Sequence, residues 1–309
     1  MHTISRKGAI GGIAAVILLA ACQAGNNGSS ASAGGSAAAS VPAASQVATV
    51  PTDQLNVPGS LFACIDIPYP PQEAFSDSGE PIGSDVDLGR EIATRLGLKF
   101  TVENTVFPVI IPALLGNKCD IIISAQNINA DRLKQVDMIP YFKAGQAVVV
   151  AKGNPKGIKT KDDLCGTTVA VQNGTTELDF LQGTSDYKGA GLSAACVKAG
   201  KQAINIKTFD KDSDALLALQ AGTADSYFAD SPAAGYAVNN HATQFELSGI
   251  TLEQAIEGIS VAKTKTKLRD AVKAALLSMI ADGKYDAILQ TWGLKSGGIT
   301  AEQVNSGKL

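Results

Sequence analysis

The chain has 309 residues, 45% of them hydrophobic and 18% charged, with a formal net charge of −3. That balance suits a globular α/β protein with room for one large domain or two lobes, and a mildly acidic sum argues against nucleic acid or anionic lipid as the main partner. The only histidines are His2 and His241 and there is no C-x-x-C pair, which argues against a histidine-built metal centre, a Ser-His-Asp triad and a dithiol redox site.

The first element is an N-terminal segment in which Arg6 and Lys7 precede an apolar and small-residue run from Ala9 to Ala21. This is the layout of a secretory signal peptide, and the run is shorter than the about 20 apolar residues of a membrane span. Leu19-Ala20-Ala21-Cys22 resembles the lipobox of bacterial lipoproteins. The resemblance implies cleavage of 1–21 and acylation of Cys22 as the mature N-terminus. Loss of Arg6 and Lys7 takes the charge to −5 (26 − 2 basic against 29 acidic residues). Residues 22–58 are dominated by Gly, Ala, Ser, Val and Pro with Asp53 as the single charge. That composition predicts a disordered tether reaching roughly 30 Å.

From residue 59 onward strand and helix patterns alternate, which predicts mostly parallel sheets. Leu61–Ile65 reads as a buried strand. Leu88, Ile92 and Leu96 recur at helical spacing, with Gly97 at the C-terminal cap. A strand over 99–103, a short helix over 110–115 stopped by Gly116 and a buried strand over 120–124 follow. Further on, 168–172 reads as a strand, and Gly174-Thr175-Thr176 opens a helix whose N-terminus favours an anion. Then come a strand over 204–209, a helix through Ala215, Leu216 and Leu219 ending at Gly222, and a strand over 225–230. Both halves repeat one order (strand, helix, glycine stop, aspartate, strand), which suggests two similar lobes. Two helical stripes close the chain, Leu268 to Ile280 stopped by Gly283, then Tyr285 to Trp292. His241 sits in a polar stretch and reads as a solvated surface residue. Of the cysteines beyond Cys22, Cys165 and Cys196 are the expected disulfide, while Cys64 and Cys119 read as buried thiols.

In open α/β sheets ligands bind just outside the C-terminal strand ends. Here those ends carry Asp66 to Tyr69, Ser124 to Asn127 with Arg132 shortly after, Gly174 to Thr176, and Asp230-Ser231. Arg132 can hold a carboxylate through paired N–H bonds, Asp230 an ammonium, and the rings of Tyr69 and Phe107 can sandwich a side chain. Together these meet the needs of a zwitterion. Taken singly, Arg132 is equally a helix-surface charge and Asp230 an N-cap ahead of Pro232.

The ordered segments Ile65-Asp66-Ile67-Pro68-Tyr69-Pro70-Pro71, Gly83-Ser84-Asp85-Val86-Asp87-Leu88, Ile111-Pro112-Ala113-Leu114, Ser124 to Arg132, Val171 to Thr176, Tyr227 to Pro232 and Ile280 to Tyr285 resemble the polar amino-acid family of bacterial solute-binding proteins, the receptors of ABC importers. The resemblance implies an α/β, two-lobe periplasmic-binding-protein-like fold of type II. Each lobe would be a mostly parallel sheet flanked by helices, and two hinge crossings would join them. Lobe 1 would span 59–146 plus 259–309 and lobe 2 147–258. By resemblance, the carboxylate-binding arginine falls on Arg132, the ammonium-binding aspartate on Asp230 and the aromatic walls on Tyr69 and Phe107. The residue reaching the ligand's side chain falls on Asp66, a backbone carbonyl and a polar side chain on Ala125 and Asn127, and the second lobe's amide donor on Thr176, with Thr175 beside it. Ser84, Asn127 and Gln72 depart from the family pattern, the last two near the pocket. The implied function is that of a monomeric, lipid-anchored extracytoplasmic receptor without catalysis, metal, cofactor or nucleic acid. It would capture a polar amino acid, glutamine or a basic one, and deliver it to an ABC permease in the cytoplasmic membrane. The alternatives on the same fold are a dehydratase of cyclohexadienyl compounds such as arogenate, with Glu73 and Glu177 as nearest general acids outside a clear pocket position, and a receptor presenting its ligand to a membrane sensor.

Overall fold

The computed structural model describes residues 46–183, 190–252 and 254–307. The expected leader, Cys22 and most of the expected tether lie outside them. Residues 46–58, which composition assigns to the tether, are instead packed on the first sheet. Val47 N donates to Arg95 O at 2.9 Å, and Val50 and Leu55 join the buried core. Two apolar side chains with a core surface to cover outweigh a loop-like composition.

The first half runs β1 (Ser60–Ile65), a small hairpin of β2 (Ala74–Phe75) and β3 (Pro81–Ile82), α1 (Ser84–Arg95), β4 (Lys99–Asn104), α2 (Ile110–Leu115), β5 (Ile121–Ile122), α3 (Ala130–Gln135) and β6 (Val136–Ala144). The chain then crosses into β7 (Gln146–Ala151), β8 (Thr168–Gln172), α4 (Thr176–Gln182), α5 (Gly191–Lys198), β9 (Asn205–Phe209), α6 (Asp212–Gln220), β10 (Ser226–Asp230), α7 (Ser231–Asn240) and β11 (Phe245–Thr251). It returns through β12 (Ala255–Ala262), α8 (Thr266–Ala281), α9 (Lys284–Thr291) and α10 (Ala301–Ser306). Among the described residues no helix is long and apolar enough to cross a membrane.

The strands form two five-stranded sheets, β4-β1-β5-β12-β6 and β11-β7-β10-β8-β9. In each, the strand that arrives from the other lobe is the reversed one. β12 lies antiparallel to β5 and β6, and β7 lies antiparallel to β10 and β11. The remaining strands run parallel, so the sheets are mixed rather than uniform. The first crossing falls between Ala144 and Gln146, the second between Thr251 and Ala255. The second comes earlier than the resemblance implied. Residues 255–258, expected in lobe 2, already ladder with lobe 1, Ala255 opposite Ala144 and Ile256 opposite Lys143.

Strand alternation sets the cores. Leu61, Ala63 and Ile65 of β1 face α1, α8 and α9, while Phe62 and Cys64 face α2. In the second lobe Val148 and Val150 of β7 face one core and Ala147 and Val149 the other. Cys64 and Cys119 are bonded to each other, with Cα atoms 5.6 Å apart, rather than standing as separate buried thiols. Cys119 precedes β5, the neighbour of β1, and both cysteines lie in the core that packs against α2. Cys165 is bonded to Cys196 of α5, also at 5.6 Å between Cα atoms. His241 is exposed, its ring edge-on to Phe245.

Candidate functional site

Between the sheets lies a cavity. Asp66, Tyr69, Phe107, Ala125, Asn127, Arg132, Thr175, Thr176 and Asp230 all line it. Glu73, Ser124, Gln172 and Glu177 line it as well. The sequence places neither glutamate clearly in the pocket. Glu73 enters because the loop after β1 folds back on itself, Tyr69 N donating to Glu73 O at 2.7 Å. Glu177 enters through the first turn of α4, one residue beyond Thr176.

Lobe 1 supplies the cation and the rings. Asn129 caps α3, its side chain accepting from Arg132 N at 2.8 Å. This short helix turns Arg132 inward until it is 7% exposed. The guanidinium donates to Asn127 O at 2.5 Å and, across the cleft, to Gly174 O at 2.9 Å. It stands 5.3 Å from the centre of the Phe107 ring, within cation–π range. Ala125 holds a left-handed φ of 45° at the cavity wall. Its N–H donates to Asp85 Oδ2 at 2.9 Å and to the Tyr141 hydroxyl at 3.1 Å, which fixes that costly backbone.

Lobe 2 supplies Asp230 and the hydroxyls. Asp230 stands at the N-cap of α7 but makes no side-chain cap. Its carboxylate accepts instead from Tyr69 OH at 3.0 Å and from Asn127 Nδ2 at 3.3 Å. Burial pushes the Asp230 carboxyl up to about 6, against the lowering pull of those hydrogen bonds. Glu177 is pushed well above the usual carboxylate range by burial and then by the charge of Asp230. Thr175 caps α4, and Thr176 Oγ1 accepts from Gln146 at 2.7 Å and from Asn127 at 3.0 Å. Gly174, in the loop before α4, needs its positive φ of 77°.

Behind the lobe 1 wall, and behind Glu73 in it, lies a second layer of acids, Asp85 and Glu257. Ser124 Oγ donates to Glu73 at 2.7 Å, and Tyr141 OH donates to Asp85 at 2.7 Å and lies 3.1 Å from Glu257. Gln72 donates to Glu257 at 2.6 Å, so this departure from the family pattern stands one layer behind the cavity. Ser84, another departure, donates to Asp85 at 3.4 Å. Glu73, Asp85 and Glu257 are all at most 1% exposed. Burial raises each of them, Asp85 to about 6, with Coulomb repulsion from one another adding for Glu73 and Glu257. Among the described residues, Glu73 Oε2 and Glu177 Oε1 are buried and accept no hydrogen bond. Among the described residues no group of acids, histidines or cysteines is arranged to hold a metal ion.

Residues 61–295 match the bacterial extracellular solute-binding proteins, family 3. The arginine-binding protein ArgT of Corynebacterium glutamicum is 30% identical over 83% of this chain and 83% of its own. An ancestral arginine-binding protein, solved bound to arginine, superposes with a TM-score of 0.68 at 34% identity, over 76% of this chain and 98% of that one. Solved bound to glutamine, it gives 0.67 at the same identity and coverage. The ancestral amino acid-binding protein AncCDT-1, a precursor of cyclohexadienyl dehydratase, gives 0.63 at 31% identity, over 76% and 95%. The chain belongs to the bacterial extracellular solute-binding proteins, family 3.

Proposed function

We propose, with that membership as the premise, that the chain is a lipid-anchored receptor for a cationic amino acid, arginine foremost, which it hands to an ABC permease. The observation that carries the reading is the charge inventory of the cavity. Four carboxyl groups line it, on Asp66, Glu73, Glu177 and Asp230; with Asp66 ion-paired to Lys211 from behind, three remain against one lining cation, Arg132. Two of their oxygens, on Glu73 and Glu177, accept no hydrogen bond among the described residues. Buried acids without a counter-charge are costly, and a ligand bearing two cations and one anion relieves that cost better than a neutral amide does.

Each end of the ligand then has a place. Arg132 takes the α-carboxylate together with the N-terminus of α4, and Asp230 takes the α-ammonium. Tyr69 and Phe107 flank the aliphatic stem, and Glu73 takes the cationic tip. Because Arg132 belongs to one lobe and Asp230 to the other, the ligand stabilises the closed pair. Cys22 would anchor the receptor at the outer face of the membrane as a monomer.

The test is calorimetric titration with arginine, lysine, glutamine and citrulline, the last being arginine's neutral isostere. Arginine is expected to bind at least about tenfold more tightly than citrulline, since a charged hydrogen bond to Glu73 is at stake, and Glu73→Gln should erase most of that margin. Tighter binding of glutamine or citrulline would overturn arginine as the ligand. One observation favours a second reading. Glu73 and Glu177 are both pushed toward the protonated form inside the cavity, as general acids of a dehydratase need to be. Turnover of arogenate, followed by chromatography of the product, would move the assignment to that enzyme.

A further inference from the structure

Asp66 is the carboxylate that the family resemblance directs to the ligand's side chain, yet the protein itself already engages both of its oxygens. Oδ1 is ion-paired with Lys211 Nζ, which reaches over from lobe 2. Oδ2 accepts from Phe107 N at 3.1 Å and from Gln172 Nε2 at 2.6 Å. Lys211 is held in turn, donating to Ile67 O at 3.1 Å. It occupies the N-cap position of α6 with extended backbone, so its side chain leaves the helix toward lobe 1. Lys211 does not line the cavity. It stands behind Asp66, with a quarter of its side chain exposed. Glu73, on the same wall, accepts from Ser124 and has no cation beside it among the described residues.

We propose that Lys211 is a specificity-determining residue. By neutralising Asp66 across the cleft it withdraws that carboxylate from the ligand, leaves Glu73 as the acceptor for a cationic tip, and tempers the cleft's preference for cationic over neutral side chains. The proposal rests on the zwitterion site described above, but not on which amino acid the wild type prefers. A carboxylate paired with an ammonium presents little net charge to a third group, whereas the same carboxylate held by an amide and a backbone N–H keeps its full charge. Loss of Lys211 leaves those two donors to hold Asp66 in place.

The experiment is calorimetric titration of the folded chain with arginine and with citrulline, comparing the ratio of their dissociation constants in four proteins. Lys211→Met should weaken both ligands, because one bond between the lobes is lost. It should nevertheless shift the ratio toward arginine by about tenfold, the worth of one freed charged hydrogen bond. Lys211→Arg, which keeps the cation, should hold the ratio near the wild-type value. Asp66→Asn added to Lys211→Met should bring the ratio back. A Lys211→Met ratio within about twofold of the wild type's, or an equal shift in Lys211→Arg, would overturn the role assigned to Lys211. A wild type that prefers citrulline overturns arginine as the ligand and leaves the change in ratio to decide the role of Lys211. Each protein's ligand-free melting temperature separates a folding defect from a change in selectivity, because misfolding lowers binding of both probes together.

Discussion

The two lobes share a frame and differ in chemistry. Read from the outer parallel strand, one sheet runs β4-β1-β5-β12-β6 and the other β9-β8-β10-β7-β11, each with its crossing strand reversed. Equivalent strand ends face the cleft. Asp66 follows β1 and Gln172 ends β8; Ser124 to Asn127 follow β5 and Asp230 ends β10. Yet lobe 1 presents a guanidinium, two rings and Glu73 backed by a buried acid layer, while lobe 2 presents hydroxyls, an amide and the acids Glu177 and Asp230. The frame determines where side chains stand, and the residues at four strand ends determine which ligand can bridge them. The most direct way to break the comparison is to remove the lobe 1 cation. Arg132→Ala should weaken amino-acid binding by about a thousandfold or more, because the ligand's buried carboxylate loses its charged partner. Binding within about threefold of wild type in calorimetry would show that the carboxylate is held elsewhere.

The disulfides sharpen the same comparison on the side of stability. Lobe 1 is closed by Cys64–Cys119 over 55 residues and lobe 2 by Cys165–Cys196 over 31. The entropy of closing a loop grows only with the logarithm of its length, so the two bonds should contribute similarly, about 3–4 kcal/mol each. Replacing either pair with serines should lower the melting temperature by roughly 6–16 °C at this size. A much larger loss from one pair would show that its lobe depends more heavily on its bridge.

How much of this was legible in the sequence depends on how local the signal is. The strand ends, the glycine-stopped helices and the residues Asp66, Arg132, Thr176 and Asp230 could be read because the period-2 and period-3.6 patterns locate strand ends within a residue or two. The Cys64–Cys119 bond could not be read, since it joins residues 55 apart that meet only once β5 is laid beside β1. Residues 46–58 misled because two apolar side chains, Val50 and Leu55, find a core that their neighbours in sequence do not announce. Glu73 and Glu177 carried a usable signal, lying within the same loop and helix turn as Tyr69 and Thr176, but their direction depends on the fold. Lys211 was invisible, because it meets Asp66 from 145 residues away.

Acidity offers the gentlest probe, and it treats the lobes alike. Burial raises Asp85 to about 6 in lobe 1, and Asp212 to about 7 and Asp230 to about 6 in lobe 2, against about 3.9 for an unfolded aspartate. Between about pH 4 and pH 7 the native chain therefore keeps protons that the unfolded chain has lost. The linkage sign follows: the stability these groups contribute is present below pH 4 and is lost as pH rises through their folded values. Ligand-free protein should melt higher at pH 5 than at pH 8, by roughly 10–20 °C. Binding should move the opposite way, because an ammonium at Asp230 requires the ionised carboxylate. Affinity should fall by up to about tenfold for each pH unit below about 6 and level off above it. Thermal melts at both pH values, with and without ligand, measure the two trends together. An affinity independent of pH between 5 and 8 would place the ligand's ammonium away from Asp230, and with it the bridge between the lobes.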